Sequence, residues 1–346
     1  MITVVIPVCN GANQGLSECL ESLSSQTKKD IEVITVDDAS TDDSAKVISS
    51  FTSKIKLKLL RNEENMGLAF SLNKAISNSE AEYILIIHQD CEISGPHILE
   101  DSEFFMNQNQ DVGVLIGTQI YSFNKMNVYQ KFSEFRLNHL ALHYETNGFV
   151  IITENKCDLV RRNVLEKIGE FDMDFKNAGE DFMFSYGALK SGVRIFKGEV
   201  LRYSDLMRGE GTFQGVMKRE FKYGIHAPLV IKKTHMFDRK FNRNNSSFEA
   251  PKFKNRKLTL ITAASILIFT ASSIATGLYY VFLPTLIFLG YRGEDLYFSL
   301  KEVNKKIPEL KLSFVPSFIL TILSDIVFSA GFIAGTLRIL VTNSVL

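Results

Sequence analysis

The amino-acid sequence predicts an α/β domain with a mostly parallel central sheet, followed by a membrane-embedded C-terminal region. Three observations predict it. Short apolar, β-branched runs alternate with segments of helical spacing up to about residue 90, and such alternation gives a parallel sheet covered on both faces. Those runs end in acidic and polar turns, at the sheet edge where open α/β folds bind ligands. From Leu258 onward long stretches carry almost no charge, so one chain of 346 residues implies two environments.

Taken in order, Thr3 to Val8 reads as a buried strand ended by Pro7 and the Asn10-Gly11 turn signal. Leu16, Leu20 and Leu23 then recur at helical spacing. Ile31 to Val36 is a second strand, cut off by Asp37-Asp38, and Thr41 or Ser44 can cap a helix running to about Phe51. Ile55 to Leu60 is a third strand. Leu68, Leu72, Ala75 and Ile76 mark another amphipathic helix, and Tyr83 to Ile87 a fourth strand. Beyond Asp111 the pattern is less regular, with a strand-like Val112 to Ile116, an aromatic stretch from Tyr121 to Tyr144, and a helix from Asp181 to Ser191 ended by Gly192.

The C-terminal third is hydrophobic in two runs. Residues 258–291 contain no charged residue, and 312–337 contain only Asp325. The first run would make a helix of roughly 50 Å against a hydrocarbon core of ~30 Å, so Gly277 or Pro284 is expected to break it. A tight helical hairpin and one span plus an interfacial piece are both open. Asp325 is either a functional intramembrane carboxylate or a group facing water or protein. Between Lys218 and Lys257 stand twelve Lys or Arg against three acids. Such a block stays on the cytoplasmic side of a span and meets anionic lipid there. The expected layout is a soluble domain over 1–225, a basic juxtamembrane segment over 226–257 and a membrane-embedded region over 258–346, with the soluble domain in the cytoplasm.

Formal net charge is zero, so no overall field favours nucleic acid. Cys9, Cys19, Cys91 and Cys157 show no metal-site spacing and read as free thiols of a reducing compartment. The start Met1-Ile2-Thr3-Val4 lacks the positive charge and cleavage site of a signal peptide.

Three acidic turns carry candidate chemistry. Asp37 and Asp38 can accept hydrogen bonds from a nucleobase and a ribose; the bland alternative is a turn capping the next helix. Asp90 in His88-Gln89-Asp90 suits a hard divalent cation that bridges phosphates to a few carboxylates, or is a simple turn residue. Glu180 and Asp181 open a helix, where acids complement the dipole; a carboxylate there can also take a proton from a sugar hydroxyl.

In order along the chain these pieces are Val-Ile-Pro-Val-Cys-Asn (5–10), Gln26, Val-Asp-Asp-Ala-Ser-Thr-Asp (36–42), Asn65-Met66-Gly67 with Asn73, His88-Gln89-Asp90, Ile-Gly-Glu-Phe-Asp (168–172) and Gly-Glu-Asp (179–181). The series resembles glycosyltransferase family 2, whose members have the Rossmann-like GT-A fold, over roughly residues 2 to 225. The hydrophobic tail is similar to that of membrane-anchored members. The resemblance implies an inverting transfer from a nucleotide-diphosphate sugar, with Mn²⁺ or Mg²⁺, to a membrane-associated acceptor such as a lipid-linked intermediate or a glycan. It implies that Pro7, Val8, Cys9 and Asn10 border the base and that Asp38 reads it. Asp37, Asn65, Gly67, Asn73, His88 and Gln89 are expected at the substrate, Asp90 at the metal, and Asp181 as base beside Glu180.

The chain departs from that pattern in places. His88 stands where the family has the first Asp of its DxD motif, and Cys9 replaces an aromatic of the base pocket. Where many members carry a later His ligand the chain has Asp205, which could complete the metal shell, with Arg208 set to contact phosphate. The chain has no Trp, so the QxxRW motif of processive synthases is absent, which favours addition of one or a few sugars. The competing reading is a catalytically silent, nucleotide-binding scaffold at the membrane. A dinucleotide enzyme is set aside, because residues 7–15 lack G-x-G-x-x-G.

Overall fold

A computed structural model describes residues 1–141, 147–150, 152–176, 178–206, 211–234 and 283–342, with isolated positions at 260 and 264. The chain divides into two compact units, one formed by Met1–Tyr121 and Glu145–Arg208, the other by Ser122–Tyr144 and Gly209–Val345.

The first unit is built from strands β1 (Ile2–Val8), β2 (Ile31–Asp37), β3 (Leu57–Arg61), β4 (Tyr83–Ile87), β5 (Cys91–Ile93), β6 (Val112–Gln119), β7 (Gly148–Val150), β8 (Cys157–Arg161) and β9 (Arg194–Asp205). Its helices are α1 (Leu16–Ser24), α2 (Ser44–Ser50), α3 (Leu68–Ser77), α4 (Ile98–Gln108), α6 (Arg162–Ile168) and α7 (Glu180–Lys190). Among the described residues the strands form one sheet in the order β3-β2-β1-β4-β8-β6-β9-β5, with β7 on β9. Alternate side chains of β1 explain why it sits at the centre. Val4, Ile6 and Val8 join α1 and α4 in one cluster, while Val5 joins Ile34, Ile86 and α3 in another. A strand buried on both faces reads as a continuous apolar run.

The expectation of a mostly parallel sheet is corrected. β3, β2, β1 and β4 run parallel, but β8 is antiparallel to both β4 and β6, and β5 and β7 are antiparallel to β9. The sheet is mixed because β8 enters reversed between β4 and β6, although β6 and β9 again pair parallel, and β5 and β7 are three-residue antiparallel returns. The expected cap of α2 is also revised, since Asp43 holds the N-cap position without a side-chain hydrogen bond.

The second unit contains α5 (Val128–Ala141), α8 (Phe213–Thr234), α9 (Leu283–Lys306) and α10 (Phe314–Thr342). Among the described residues, Phe314–Val341 is the one stretch long and apolar enough to cross a membrane. Most of the run 258–291 and the basic residues 239–257 lie outside the described residues. Asp325 faces protein. Its oxygens accept from Arg136 Nη1 at 3.0 Å and Arg292 Nε at 2.9 Å. Arg136 also reaches Glu220 at 3.0 Å, so one buried guanidinium holds two buried carboxylates. Helices α8 and α10 meet backbone to backbone: a Cβ added at Gly224 would stand 2.1 Å from the Phe328 carbonyl, and one at Gly335 2.1 Å from that of Ile225.

Two predictions follow from burial. Asp158 of β8 accepts the Asn155 amide at 2.9 Å, and burial pushes its carboxyl up to about 7. Between the ordinary 3.8 and about 7 the folded chain binds the extra proton, so stability falls as pH rises, by up to about 1.4 kcal/mol per pH unit. Asp158→Asn removes that slope, and urea melts of both proteins at pH 5 and pH 8 measure it. In the helical unit, Arg136→Met strands Glu220 and part of the Asp325 charge in the interior. Breaking one partner of a buried pair costs about 3–5 kcal/mol, and Arg292 on Asp325 places this variant near the low end, read as a lowered thermal midpoint in detergent.

Candidate active site

The parallel register sets the site. Val8 pairs with Asp37 and Val5 with Ile86, so the residues following β1, β2 and β4 emerge along one edge. These are Cys9-Asn10, Asp38 and His88-Gln89-Asp90.

Two loops at this edge are stitched together. Asn10, with φ of 51°, accepts the Thr41 amide on its side-chain oxygen at 2.9 Å and donates its own amide to Ser40 Oγ at 2.9 Å. Asp37 is buried and accepts the Ser40 amide at 2.9 Å, while Arg61 Nε lies 3.4 Å from its other oxygen. Asp37 thus forms the turn through Oδ1, while its buried Oδ2 accepts no hydrogen bond among the described residues. Gln89 clamps the end of β1, its amide accepting from Cys9 N at 3.0 Å and donating to Cys9 O at 3.2 Å. The Gln89 side chain, expected at the substrate, is spent on the Cys9 backbone.

Asp38 is buried and gathers the loop that follows β3. It accepts from Asn62 Nδ2, Met66 N and Gly67 N, each at 2.8 Å. Three of roughly four acceptor positions of a carboxylate are filled, which leaves one direction for a ligand. Gly67 has φ of 92°, and a Cβ there would stand 2.4 Å from the Lys176 carbonyl. Glycine therefore lets the loop close onto the segment that leads to α7, where Leu68 N reaches Lys176 O at 3.0 Å.

Asn65 Nδ2 lies 3.4 Å from Cys9 Sγ at the exposed mouth. Burial, followed by the Asp38 charge, pushes the Cys9 thiol up, against the Asn65 contact that lowers it. Cys9 is therefore a neutral thiol at pH 7. Val8 is buried in the core and Pro7 half-buried. Asn73, expected at the substrate, is instead a brace: its amide donates to Phe171 O and accepts from Phe171 N, both at 2.8 Å. Both ends are taken by the Gly169-Glu170-Phe171-Asp172 turn.

Asp90 is partly exposed, and its carbonyl accepts Leu206 N at 2.9 Å. Asp205 pairs with Cys91 across β5 and β9 and is ion-paired to Lys156. The Lys156 carbonyl accepts His88 N at 3.0 Å. Among the described residues no group of three His, Cys, Asp or Glu is arranged to hold a metal. Of these residues, the partly exposed Asp90 is the carboxylate that would hold a divalent cation, since small hard cations bound to phosphates need few protein ligands. Arg208 lies outside the described residues.

Asp181 sits in the first turn of α7 after Gly179, whose φ is 102°. Its Oδ1 accepts Phe182 N at 2.7 Å, and its carbonyl accepts Ser185 Oγ at 2.7 Å. Glu180 beside it is buried. Thr153 joins this turn to the rest of the edge, its amide reaching Ser185 Oγ at 2.9 Å and its hydroxyl the Asp181 carbonyl at 3.3 Å. From Thr153 to Lys156 the chain spans at most roughly 11 Å, so Asp181 and the His88-Asp90-Asp205 cluster share one rim. Asn62, Thr153 and Lys156 are the residues that sequence reasoning passed over. They lie in loops with no periodic signal, and their partners are 24 to 49 positions away.

Residues 3–169 match the family described as glycosyl transferase family 2. Glycosyltransferase GlyA of Streptococcus pneumoniae is 32% identical over 124 residues, 36% of this chain and 17% of that protein. An uncharacterised glycosyltransferase of Methanocaldococcus jannaschii is 23% identical over 252 residues, 72% of this chain and 83% of that one. The chain thus spans under a fifth of one relative's length and most of the other's. In fold it is similar to a mannosyltransferase of Pyrobaculum calidifontis solved with GDP-Man and Mn²⁺, at a TM-score of 0.54 and 17% identity over 98% of this chain and 86% of that one. The α/β fold with its mixed sheet is GT-A-like, and residues 3–169 carry the match to glycosyl transferase family 2.

Proposed function

We propose that the protein transfers a sugar, with inversion, from a nucleotide-diphosphate donor to a hydroxyl of a membrane-associated acceptor, lipid-linked or glycan. What supports this reading is the position of Cys9, Asn65, Asp38 and Asp90 at one sheet edge within the residues that match family 2, with Asp181 joined to that edge through Thr153. The base lies against Cys9 and Asn65, and the remaining acceptor direction of Asp38 meets a donor group of the nucleoside. The diphosphate extends toward Asp90. Asp90 would hold a Mn²⁺ or Mg²⁺ ion there, and the chemistry such an ion would supply is neutralisation of the leaving charge.

Asp181 takes the proton of the acceptor hydroxyl as its oxygen bonds to the anomeric carbon. The bond to the diphosphate breaks on the opposite face of the sugar, which inverts that centre. The absence of tryptophan from the chain accords with addition of one or a few residues. Membrane attachment is supported by α10, whose single internal carboxylate is matched by arginines, and by the basic block ahead of the hydrophobic runs.

Purified protein incubated with Mn²⁺, a panel of nucleotide-sugars and a lipid extract should release nucleoside diphosphate. Asp181→Asn should lower turnover by about 10²–10⁴-fold, the range for a positioned base, with donor affinity unchanged. Equal turnover in the variant assigns the base elsewhere, and no turnover in either protein favours the silent scaffold. A second measurement uses the thiols. Cys9 is exposed while Cys19, Cys91 and Cys157 are buried, so maleimide should label Cys9 alone in the native protein. Nucleoside diphosphate should slow that labelling at least several-fold.

A further inference from the structure

The pair Lys156–Asp205 stands where the donor's diphosphate would arrive, and its surroundings fix it there. Lys156 lies on the approach to β8, and its carbonyl holds the amide of His88 at 3.0 Å. Asp205 ends β9 opposite Cys91. The next residue, Leu206, donates to the carbonyl of Asp90 at 2.9 Å. Residues 88, 90, 156 and 205 are therefore linked in a ring by main-chain bonds and one ion pair.

Burial within the ring is uneven. The Asp205 side chain is 4% exposed and that of Lys156 24%. An inner carboxylate thus holds an ammonium that reaches the rim. An anchored lysine is a compact cation with three donors, suited to phosphate oxygens.

Charge at the rim makes this cation necessary. Asp90 and Asp205 both repel a diphosphate, and His88 brings no charge when neutral. A lone divalent cation on Asp90 would have to offset both the carboxylates and the ligand. Lys156 cancels Asp205, so that carboxylate does not add its charge to those of Asp90 and Asp181 at the rim. Resting on the donor-site reading above, we infer that Lys156 is a diphosphate-binding residue, a built-in cation that gives the site part of its phosphate affinity without any metal. It contacts the phosphate oxygens while Asp205 positions it. As the leaving diphosphate gains charge, the same ammonium stabilises it.

Calorimetric titration of the full chain with UDP against UMP, and GDP against GMP, tests this in EDTA and again in Mn²⁺. The wild type should bind one diphosphate at least tenfold more tightly than its monophosphate in EDTA. Lys156→Met should erase that ratio and leave monophosphate affinity within about twofold, while Lys156→Arg should keep most of it. Because Lys156→Met strands the inner carboxylate, the same substitution is made together with Asp205→Asn, which keeps the pair neutral, and folding is checked by circular dichroism. A folded double variant that retains the diphosphate preference in EDTA overturns the inference, as does a wild type whose preference appears only with Mn²⁺. Either result leaves the glycosyltransferase reading standing. A wild type that binds none of the four nucleotides with or without Mn²⁺ overturns the donor site itself, and this inference with it.

Discussion

The carboxylate of Asp38 draws three N–H donors onto itself at the end of the second strand, and the rest of the edge is arranged around that knot. Without it the buried amide of Gly67 would have no acceptor, a cost of about 1–3 kcal/mol, and the partly buried amide of Met66 would lose its partner as well. With it the loop after β3 is pinned flat. The backbone of Lys176 can then lie against Gly67, where no other residue would leave room, and the chain is led from there toward α7 and Asp181. A residue that reads as a ligand contact thus has a prior duty as an organiser.

Much of this was legible from the residues. The four strands that set the edge are apolar, β-branched and bounded by turns, and all four lie within two residues of where their pattern places them. Asp37 illustrates what pattern cannot separate: a turn-forming acid and a ligand-reading acid look alike in sequence, and here Oδ1 holds the Ser40 turn while Arg61 lies 3.4 Å from Oδ2. Gln89 and Asn73 fall the same way, each with its amide consumed by a distant main chain. The mixed character of the sheet was hidden because β5 and β7 are too short to show alternation. Lys156 gave no sign either, because an ion pair across 49 positions leaves no local trace.

The helical unit shows a similar economy. Asp325 interrupts an otherwise apolar helix, and sequence alone left its surroundings open. Its neighbours are Arg136 and Arg292, drawn from helices far apart in the chain. Stretch 122–144 is thereby tied to α10 although nearly two hundred residues separate Arg136 from Asp325, and the aromatic composition of that stretch alone does not reveal the grouping.

The bare seam between α8 and α10 has a mechanical consequence. With Gly224, Gly331 and Gly335 each pressed against a carbonyl of the opposing helix, the two rods are keyed like a tongue in a slot. Rotating either by the ~100° of one residue would drive a side chain into the other's backbone. The pair can therefore tilt or travel together as a single strut, but neither member can roll independently.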